Sequence, residues 1–328
     1  MLIRSLMLLA VFVALPWSAE AQYRFSASRT KAQLELWSRI EKPWASETVS
    51  AGVAFDAIEE LVHQDVRAST LYNAFEDRLR AHGLGGVREI LSYCGQMGPN
   101  VTGEAGASVE LVEMVPVIPG EAVSDWRPET KAAIEQGWAH KVITIPFFKA
   151  VLVASVPTIC LAPTGSIRGT YDTFVHELVH VHRMDPFTSF LLKFELRRYE
   201  DVFESEIFGR GGEVDAYRAG IGAEARLLAR LGAVNPAAHY PTFQGDDGEV
   251  TNEELFRSYV RGIYWTLAEK SGDRAQTIAG AKQLYQFRIE SLRDRLRPYL
   301  VARRSAANVV AALDAEVARL TSLSEGLQ

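Results

Sequence analysis

The feature that most constrains the fold is an H-E-x-x-H motif inside an apolar stretch, formed by His176-Glu177-Leu178-Val179-His180. On an α-helix, residues four positions apart lie on the same face, so the two histidines can direct their imidazoles at one metal ion. Glu177 follows about 100° round the helix, within reach of a water on that metal. The motif predicts a buried helix over Tyr171–Met184 that carries a zinc site. The alternative is an ordinary amphipathic helix whose histidines form hydrogen bonds in a core.

Residues 1–21 have the pattern of a cleavable export signal. Arg4 precedes the apolar run Leu6–Leu15, and an A-x-A cleavage pattern ends at Ala21. The run is too short to span a bilayer comfortably, which disfavours an uncleaved anchor. No later stretch of the sequence reaches transmembrane length. We therefore expect cleavage after Ala21 and a soluble protein in the periplasm or outside the cell.

The composition is that of a globular protein, with 48% hydrophobic and 23% charged residues among 328. A net charge of −6 gives no reason to expect nucleic acid or an anionic membrane as a partner. The two cysteines, Cys94 and Cys160, could pair in an oxidising compartment or remain separate buried thiols. Sequence alone leaves that choice open, because it does not show whether the two lie close enough.

Hydrophobic spacing divides the chain into a mixed α/β half and a helical half. Before the motif, helices are expected at Ser28–Lys42, Phe55–Ala81, Val87–Tyr93 and Trp126–Gly137, with a loop over Gly95–Gly106. Runs rich in β-branched residues predict strands at Ser108–Ile118, His140–Val156 and Thr158–Ala162. After the motif, helices are expected at Thr188–Phe208, Glu213–Leu231, Asn252–Ser271, Arg274–Tyr299 and Ser305–Leu323.

The predicted fold class is therefore α+β, with a short sheet before the motif helix and an all-helical half after it. After the signal at 1–21, we expect a mostly helical region at 22–106, a core at 107–231 that contains the motif, and a helical region at 232–328. Region 22–106 carries no readable motif. It could cover a cleft, act as an inhibitory segment or complete the core.

A catalytic zinc usually has three protein ligands and a water, so a third ligand is needed. The pattern that adds a third histidine fails, since its positions hold Arg183 and Pro186. The candidates for a later glutamate ligand are Glu195, Glu200, Glu204, Glu206, Glu213, Glu224, Glu253 and Glu254. Glu213 is favoured because Ala216 and Gly220, on the same helix face, are small enough for close approach. Alternatively, Glu213 is an acidic residue that the helix dipole favours in the first turn, or it forms a hydrogen bond to a metal ligand without binding the metal itself.

With these motifs, the chain resembles the gluzincin group of zinc metallopeptidases over about Pro157–Leu231. The resemblance rests on the H-E-x-x-H motif, on a short strand before it and on the downstream sequence Glu213-Val214-Asp215-Ala216. It implies a zincin-like fold and a peptide or protein substrate. The implied site has one Zn²⁺ held by His176, His180 and Glu213, with Glu177 as the general base for a zinc-activated water.

The resemblance also assigns two further roles. Strand Thr158–Ala162 would be the edge strand that pairs with an extended peptide. Several families carry an aspartate four residues after the ligand glutamate, where it supports a zinc histidine. Here that position is Tyr217, and the nearest acid is Asp215.

Two other functions use the same metal site. One is a catalytically silent zinc-binding protein of the cell envelope that binds a partner. The other is a zinc amidase acting on a cell-wall amide. The sequence offers four donors for an oxyanion without a preference among them: Tyr217, His239, Tyr240 and Tyr264. His182 is expected at the surface, and the sequence sets neither the substrate nor the oligomeric state.

Overall fold

The computed structural model describes residues 23–41, 51–93, 103–118, 121, 124–162, 166–303 and 305–327. Within them the fold is a mixed α+β arrangement, with two small sheets followed by a helical C-terminal half. This coarse organisation is the one that the sequence predicts. The predicted signal segment and Cys94 lie outside the described residues. No helix in the described part of the chain combines the length and the apolar character of a membrane span.

Helices flank both sheets and make up most of the C-terminal half. Those before the motif are α1 (Lys31–Ile40), α2 (Ala51–Gln64), α3 (Val66–Ala81), α4 (Val87–Ile90) and α5 (Pro128–Gln136). Those from the motif onward are α6 (Ile167–Arg183), α7 (Thr188–Phe194), α8 (Tyr199–Phe208), α9 (Glu213–Arg230), α10 (Glu253–Ser271), α11 (Asp273–Glu290), α12 (Arg297–Ala302) and α13 (Ala307–Gly326). A π-helical segment, Ser291–Leu296, joins α11 to α12.

The first sheet lies against the motif helix and has the strand order β1-β6-β2. Strand β1 (Leu91–Tyr93) pairs parallel with β6 (Thr158–Leu161), and β2 (Gly103–Gly106) pairs antiparallel with it. Because β6 is central, the prediction that Thr158–Ala162 is an edge strand is wrong. The sequence pattern hides both partners, since the glycine-rich β2 is typical of a loop and β1 is too short to show alternation. Cys160 in β6 is disulfide-bonded.

The second sheet has the order β3-β5-β4 and is antiparallel throughout. Its strands are β3 (Val109–Pro116), β4 (Ala139–Ile145) and β5 (Phe148–Ala154). The predicted strand region His140–Val156, which Pro146 interrupts in the sequence, forms the β4–β5 hairpin. Pro146 and Phe147 form its turn, and Phe147 adopts a φ of 66° there.

Helix α6 lies at the centre of the core, packed against α2, α3, α9 and the first sheet. It begins earlier than predicted, because the Ser166 side chain accepts a hydrogen bond from the Gly169 N–H and caps it. Every residue from Thr170 to Val181 is buried. The polar side chains of the motif are therefore held inside the protein, where each needs a partner or a bound ligand.

Two predicted helices are each divided into two. The stretch Thr188–Phe208 separates into α7 and α8 at Glu195–Arg198. The stretch Phe55–Ala81 is interrupted at Asp65, whose carboxylate accepts hydrogen bonds from the N–H groups of Arg67 and Ala68 and so starts α3. Apolar spacing continues across both breaks. In the sequence, only the capping residue Asp65 indicates the break before α3.

Asp65 also links three helices around the motif. Its Oδ2 accepts hydrogen bonds from the Arg226 guanidinium of α9 at 2.9 Å and from the Tyr171 hydroxyl of α6 at 3.3 Å. Burial opposes ionisation of this carboxyl, but the hydrogen bonds and the charge of Arg226 outweigh it and lower the pKa of Asp65. The carboxylate thus stabilises both a helix start and the α6–α9 pair.

Replacing Asp65 by alanine is expected to destabilise the fold by about 3 kcal/mol, since it removes a cap and leaves Arg226 without its partner. Because the folded-state pKa lies below the unfolded one, the contribution is present at neutral pH and is lost as the pH falls below about 4. Urea unfolding at pH 7 and at pH 3.5 measures both effects. The loss should be smaller for Asp65→Asn, which keeps an acceptor oxygen. Equal stability of the wild type and Asp65→Ala at pH 7 would contradict this role.

Candidate metal centre

The site is formed where α6 and α9 approach each other closely. Gly220 of α9 faces Asp172 and His176 of α6, and a Cβ built at Gly220 would collide with Asp172 and lie 3.4 Å from the His176 Cβ. Ala216, one turn earlier, is fully buried in the same contact region. The small residues that favoured Glu213 in the sequence therefore do permit this close approach.

His176, His180 and Glu213 converge on one point inside the protein. The two Nε2 atoms lie 3.1 Å apart. The Oε2 atom of Glu213 lies 3.2 Å from Nε2 of His176 and 3.5 Å from Nε2 of His180. All three residues are buried. The structure thus brings together the three ligands predicted from sequence.

These distances fit a tetrahedral zinc site. With zinc–ligand bonds of about 2.0–2.1 Å, two tetrahedral ligand atoms lie about 3.3 Å apart. The three measured separations lie within 0.2 Å of that value. Two imidazoles and one carboxylate are also a donor set that zinc accepts.

The charges in the pocket suit a cation. Burial lowers the pKa of His176 to about 4, so its imidazole is neutral and can donate a lone pair. Burial opposes ionisation of Glu213 as well, but His180 and His176 outweigh it and hold the pKa of that carboxyl low. Burial alone would lower the pKa of His180, yet the Glu213 carboxylate raises it. Without metal, a proton on His180 would balance the Glu213 charge, and a metal ion would take over that role.

Glu177 sits beside this group as a fully buried carboxyl. Neither of its oxygens has a hydrogen-bond partner among the described residues. Burial, and then the nearby Glu213 carboxylate, raise the pKa of Glu177 well above its usual range. Strand β2 passes directly over it, since a Cβ at Gly103 would lie 3.0 Å from Oε1 of Glu177. Gly103 was not singled out in the sequence, although only glycine allows this approach.

A short relay orients His180. Its Nδ1 lies 2.8 Å from the carbonyl oxygen of Gly211, which can only accept, so Nδ1 carries the proton and Nε2 faces the metal position. The N–H of Gly211 in turn donates to Oδ2 of Asp215 at 2.9 Å. Gly211 has a φ of 71°, and a Cβ there would collide with Arg183 and Met184. Asp215 is thus connected to His180, a candidate metal ligand, through the backbone of Gly211.

Removing the Asp215 carboxylate is expected to weaken zinc binding about 10- to 100-fold, because the backbone of Gly211 loses the group that fixes its N–H. Asp215→Asn should have a smaller effect than Asp215→Ala, since the amide oxygen can still accept. Competition with a chelating dye measures the affinity. The matched control is Asp201→Asn on α8, where the partly exposed carboxylate pairs with Arg198. Unchanged zinc affinity in Asp215→Ala would exclude the relay.

Most of the other candidate glutamates are engaged elsewhere. Glu195, Glu200, Glu204, Glu224 and Glu253 form ion pairs with arginines, and Glu206 accepts a hydrogen bond from Ser189. Glu254 is exposed. Within the described residues, the only cluster of three metal-type donors is the one formed with Glu213.

The structure also separates the four candidate oxyanion donors. The ring of Tyr217 packs edge-on to His176 at 5.6 Å, and its hydroxyl interacts with Tyr240 and Tyr259. His239 forms a hydrogen bond through Nδ1 with the Tyr23 hydroxyl at 2.8 Å. Tyr264 of α10 is buried. Burial raises the pKa of its hydroxyl, and the nearby carboxylates of Glu213 and Glu177 raise it further.

His182, expected at the surface, is partly exposed and half-buried. Its ring packs edge-on to Phe75 at 6.2 Å. Burial lowers its pKa, and the guanidinium groups of Arg183, Arg78 and Arg210 lower it further. These three arginines therefore lie close together near the C-terminal end of α6.

Comparison with known proteins gives no relative: no family model matches the chain, nor does any curated protein or solved structure. The function therefore has to be inferred from the chemistry of the site.

Proposed function

We propose that the protein is an exported zinc metallopeptidase with a zincin-like fold, which hydrolyses peptide bonds. The observation that carries the proposal is the buried triad of His176, His180 and Glu213 at tetrahedral spacing, with Glu177 beside it. A purely structural zinc site has no use for a second carboxyl that is not a ligand and has no hydrogen-bond partner among the described residues. The signal pattern in residues 1–21 supports export.

The residues of the site have distinct parts in this reaction. A bound Zn²⁺ supplies a lowered pKa, about 7, for its water and polarisation of the scissile carbonyl. Glu177 accepts the proton of the attacking water and later delivers it to the leaving amine. Its raised pKa suits a group that must both take up and release a proton. His176, His180 and Glu213 keep their donor atoms fixed, because helix packing and the Gly211 carbonyl leave them little freedom.

Strand β2 is the surface proposed to bind the substrate backbone. It lies at the edge of the first sheet, and its outer side has no strand partner within the described residues. Gly103 at its start contacts Glu177, so a peptide paired with this edge would run past the general base. The role that the sequence gave to Thr158–Ala162 therefore passes to Gly103–Gly106.

Tyr264 is the proposed donor to the developing oxyanion, because its hydroxyl is buried and lies near the carboxylates of Glu213 and Glu177. Tyr264→Phe is expected to lower kcat about 100-fold with little change in KM or zinc content. Tyr259→Phe is the matched control, since that hydroxyl faces Tyr217 and Tyr240 instead. Steady-state kinetics decides: a change in KM alone would leave Tyr264 a packing residue.

The proposal is tested by mass spectrometry of a diverse peptide library incubated with fully zinc-loaded protein. We expect discrete cleavage products with the wild type and none with Glu177→Gln. A negative screen with zinc fully bound would contradict peptidase activity and favour the silent zinc-binding protein. Parallel incubation with cell-wall fragments covers the amidase, which would release amide products from those fragments only.

A further inference from the structure

A cavity of about 410 Å³ lies beyond the C-terminal end of α6. Its wall is formed by the end of α6, the turn that leads into α7, and the segment Ser205–Arg210 at the end of α8. Arg78 of α3 also lines the cavity. The cavity does not include His176, Glu177 or Glu213, so it is distinct from the metal centre.

Three arginines, Arg78, Arg183 and Arg210, face this cavity from three separate elements. Most arginines that the structure describes form ion pairs with carboxylates. These three form none with any described residue. Arg78 is half-buried and lies over the Trp138 ring at 4.6 Å, which fixes its position without neutralising its charge.

The acidic groups in the wall do not compensate these charges. Asp185 pairs with Lys141 at 3.3 Å and accepts a hydrogen bond from the N–H of Phe187. Glu206 accepts a hydrogen bond from the Ser189 hydroxyl at 2.6 Å, and burial raises its pKa to about 7. The cavity therefore has an excess of positive charge at neutral pH.

We propose that this cavity, the arginine pocket, binds an oxyanion (a phosphate or carboxylate group) through Arg78, Arg183 and Arg210. Guanidinium groups bind such oxyanions in a bidentate manner, which suits three convergent arginines. The volume exceeds that of a single phosphate ion and falls in the range of small-ligand sites. The anion is therefore carried by a small organic molecule or by an acidic peptide. This site does not depend on the proposed peptidase activity.

The pocket also adjoins the relay that orients His180. Gly209 and Arg210 line the cavity, and the next residue, Gly211, offers its carbonyl to His180. An anion held by Arg183 and Arg210 would contact both the end of α6, which carries His180, and the segment that carries Gly211. Its occupant would thus contact the residue that precedes Gly211 in the chain.

The test is isothermal titration at low ionic strength with two probes, inorganic phosphate and a tetraglutamate peptide. Arg183 and Arg210 are exposed, so the double variant Arg183→Gln/Arg210→Gln is expected to fold normally, which its melting temperature checks. We expect at least one probe to bind the wild type and to bind the double variant at least 10-fold more weakly. Arg78→Lys, which keeps the charge but loses the planar fork, should lie between the two.

The matched control is Arg197→Gln, because Arg197 is exposed, forms no ion pair with a described residue and lies outside the cavity. Loss of phosphate binding in the double variant supports a free phosphate-bearing ligand. Loss of peptide binding alone supports an acidic segment of a peptide. The proposal is overturned if neither probe binds the wild type. It is also overturned if every probe that binds the wild type binds the double variant equally well, which is the result expected for binding at the metal centre.

Discussion

Glu177→Gln is expected to reduce peptide-bond cleavage about 10³-fold while zinc stays at one equivalent per chain. Glutamine has the same shape as glutamate but accepts no proton at neutral pH. Glu177 provides no ligand atom to the triad, so its replacement leaves His176, His180 and Glu213 in place. Its oxygens also have no hydrogen-bond partners among the described residues, so folding should be little affected. Cleavage is followed with a substrate from the peptide screen, and zinc by atomic absorption.

The control for this variant is Glu110→Gln, on the exposed side of β3, which should retain full activity. Equal zinc content in both variants separates loss of chemistry from loss of metal. If zinc-loaded Glu177→Gln hydrolyses the substrate at the wild-type rate, Glu177 is not the general base and the proposed mechanism is wrong.

Glu213→Ala is expected to lower zinc affinity at least 100-fold. This is more than the loss expected from removing Asp215, which does not contact the metal position. Glu213 is the only acidic ligand of the triad, and its Oε2 faces both imidazoles at 3.2 and 3.5 Å. Without it, two neutral histidines remain, which cannot offset the charge of a buried divalent cation. Zinc content after dialysis against a weak chelator measures the loss.

Glu204→Ala is the matched control, since Glu204 was an alternative ligand in the sequence and the structure pairs it with Arg261 instead. It should bind zinc as the wild type does. Retention of zinc by Glu213→Ala together with loss in Glu204→Ala would reverse the assignment.

The metal triad could be predicted because its determinants are local. Four-residue spacing places His176 and His180 on one face, and the small residues Ala216 and Gly220 indicate which glutamate can come close. Such patterns survive in a single sequence because they describe one helix or one helix pair.

The elements around the triad depend on distant partners, and here the sequence was less informative. Strand β2 exists because β6 lies beside it, although its own glycines are typical of a loop. The cap at Asp65 is local, but the link that Asp65 makes to α9 depends on Arg226, 161 residues away. Tyr264 became distinguishable from the other tyrosines only through the packing of α10 near Glu213.

Zinc K-edge X-ray absorption of the purified protein, together with its zinc content, tests the central claim most directly. The account predicts one four-coordinate zinc per chain, with imidazole scattering from two histidines and nitrogen or oxygen ligands at about 2.0 Å. A protein that does not bind zinc, or a zinc spectrum without imidazole scattering, would contradict it.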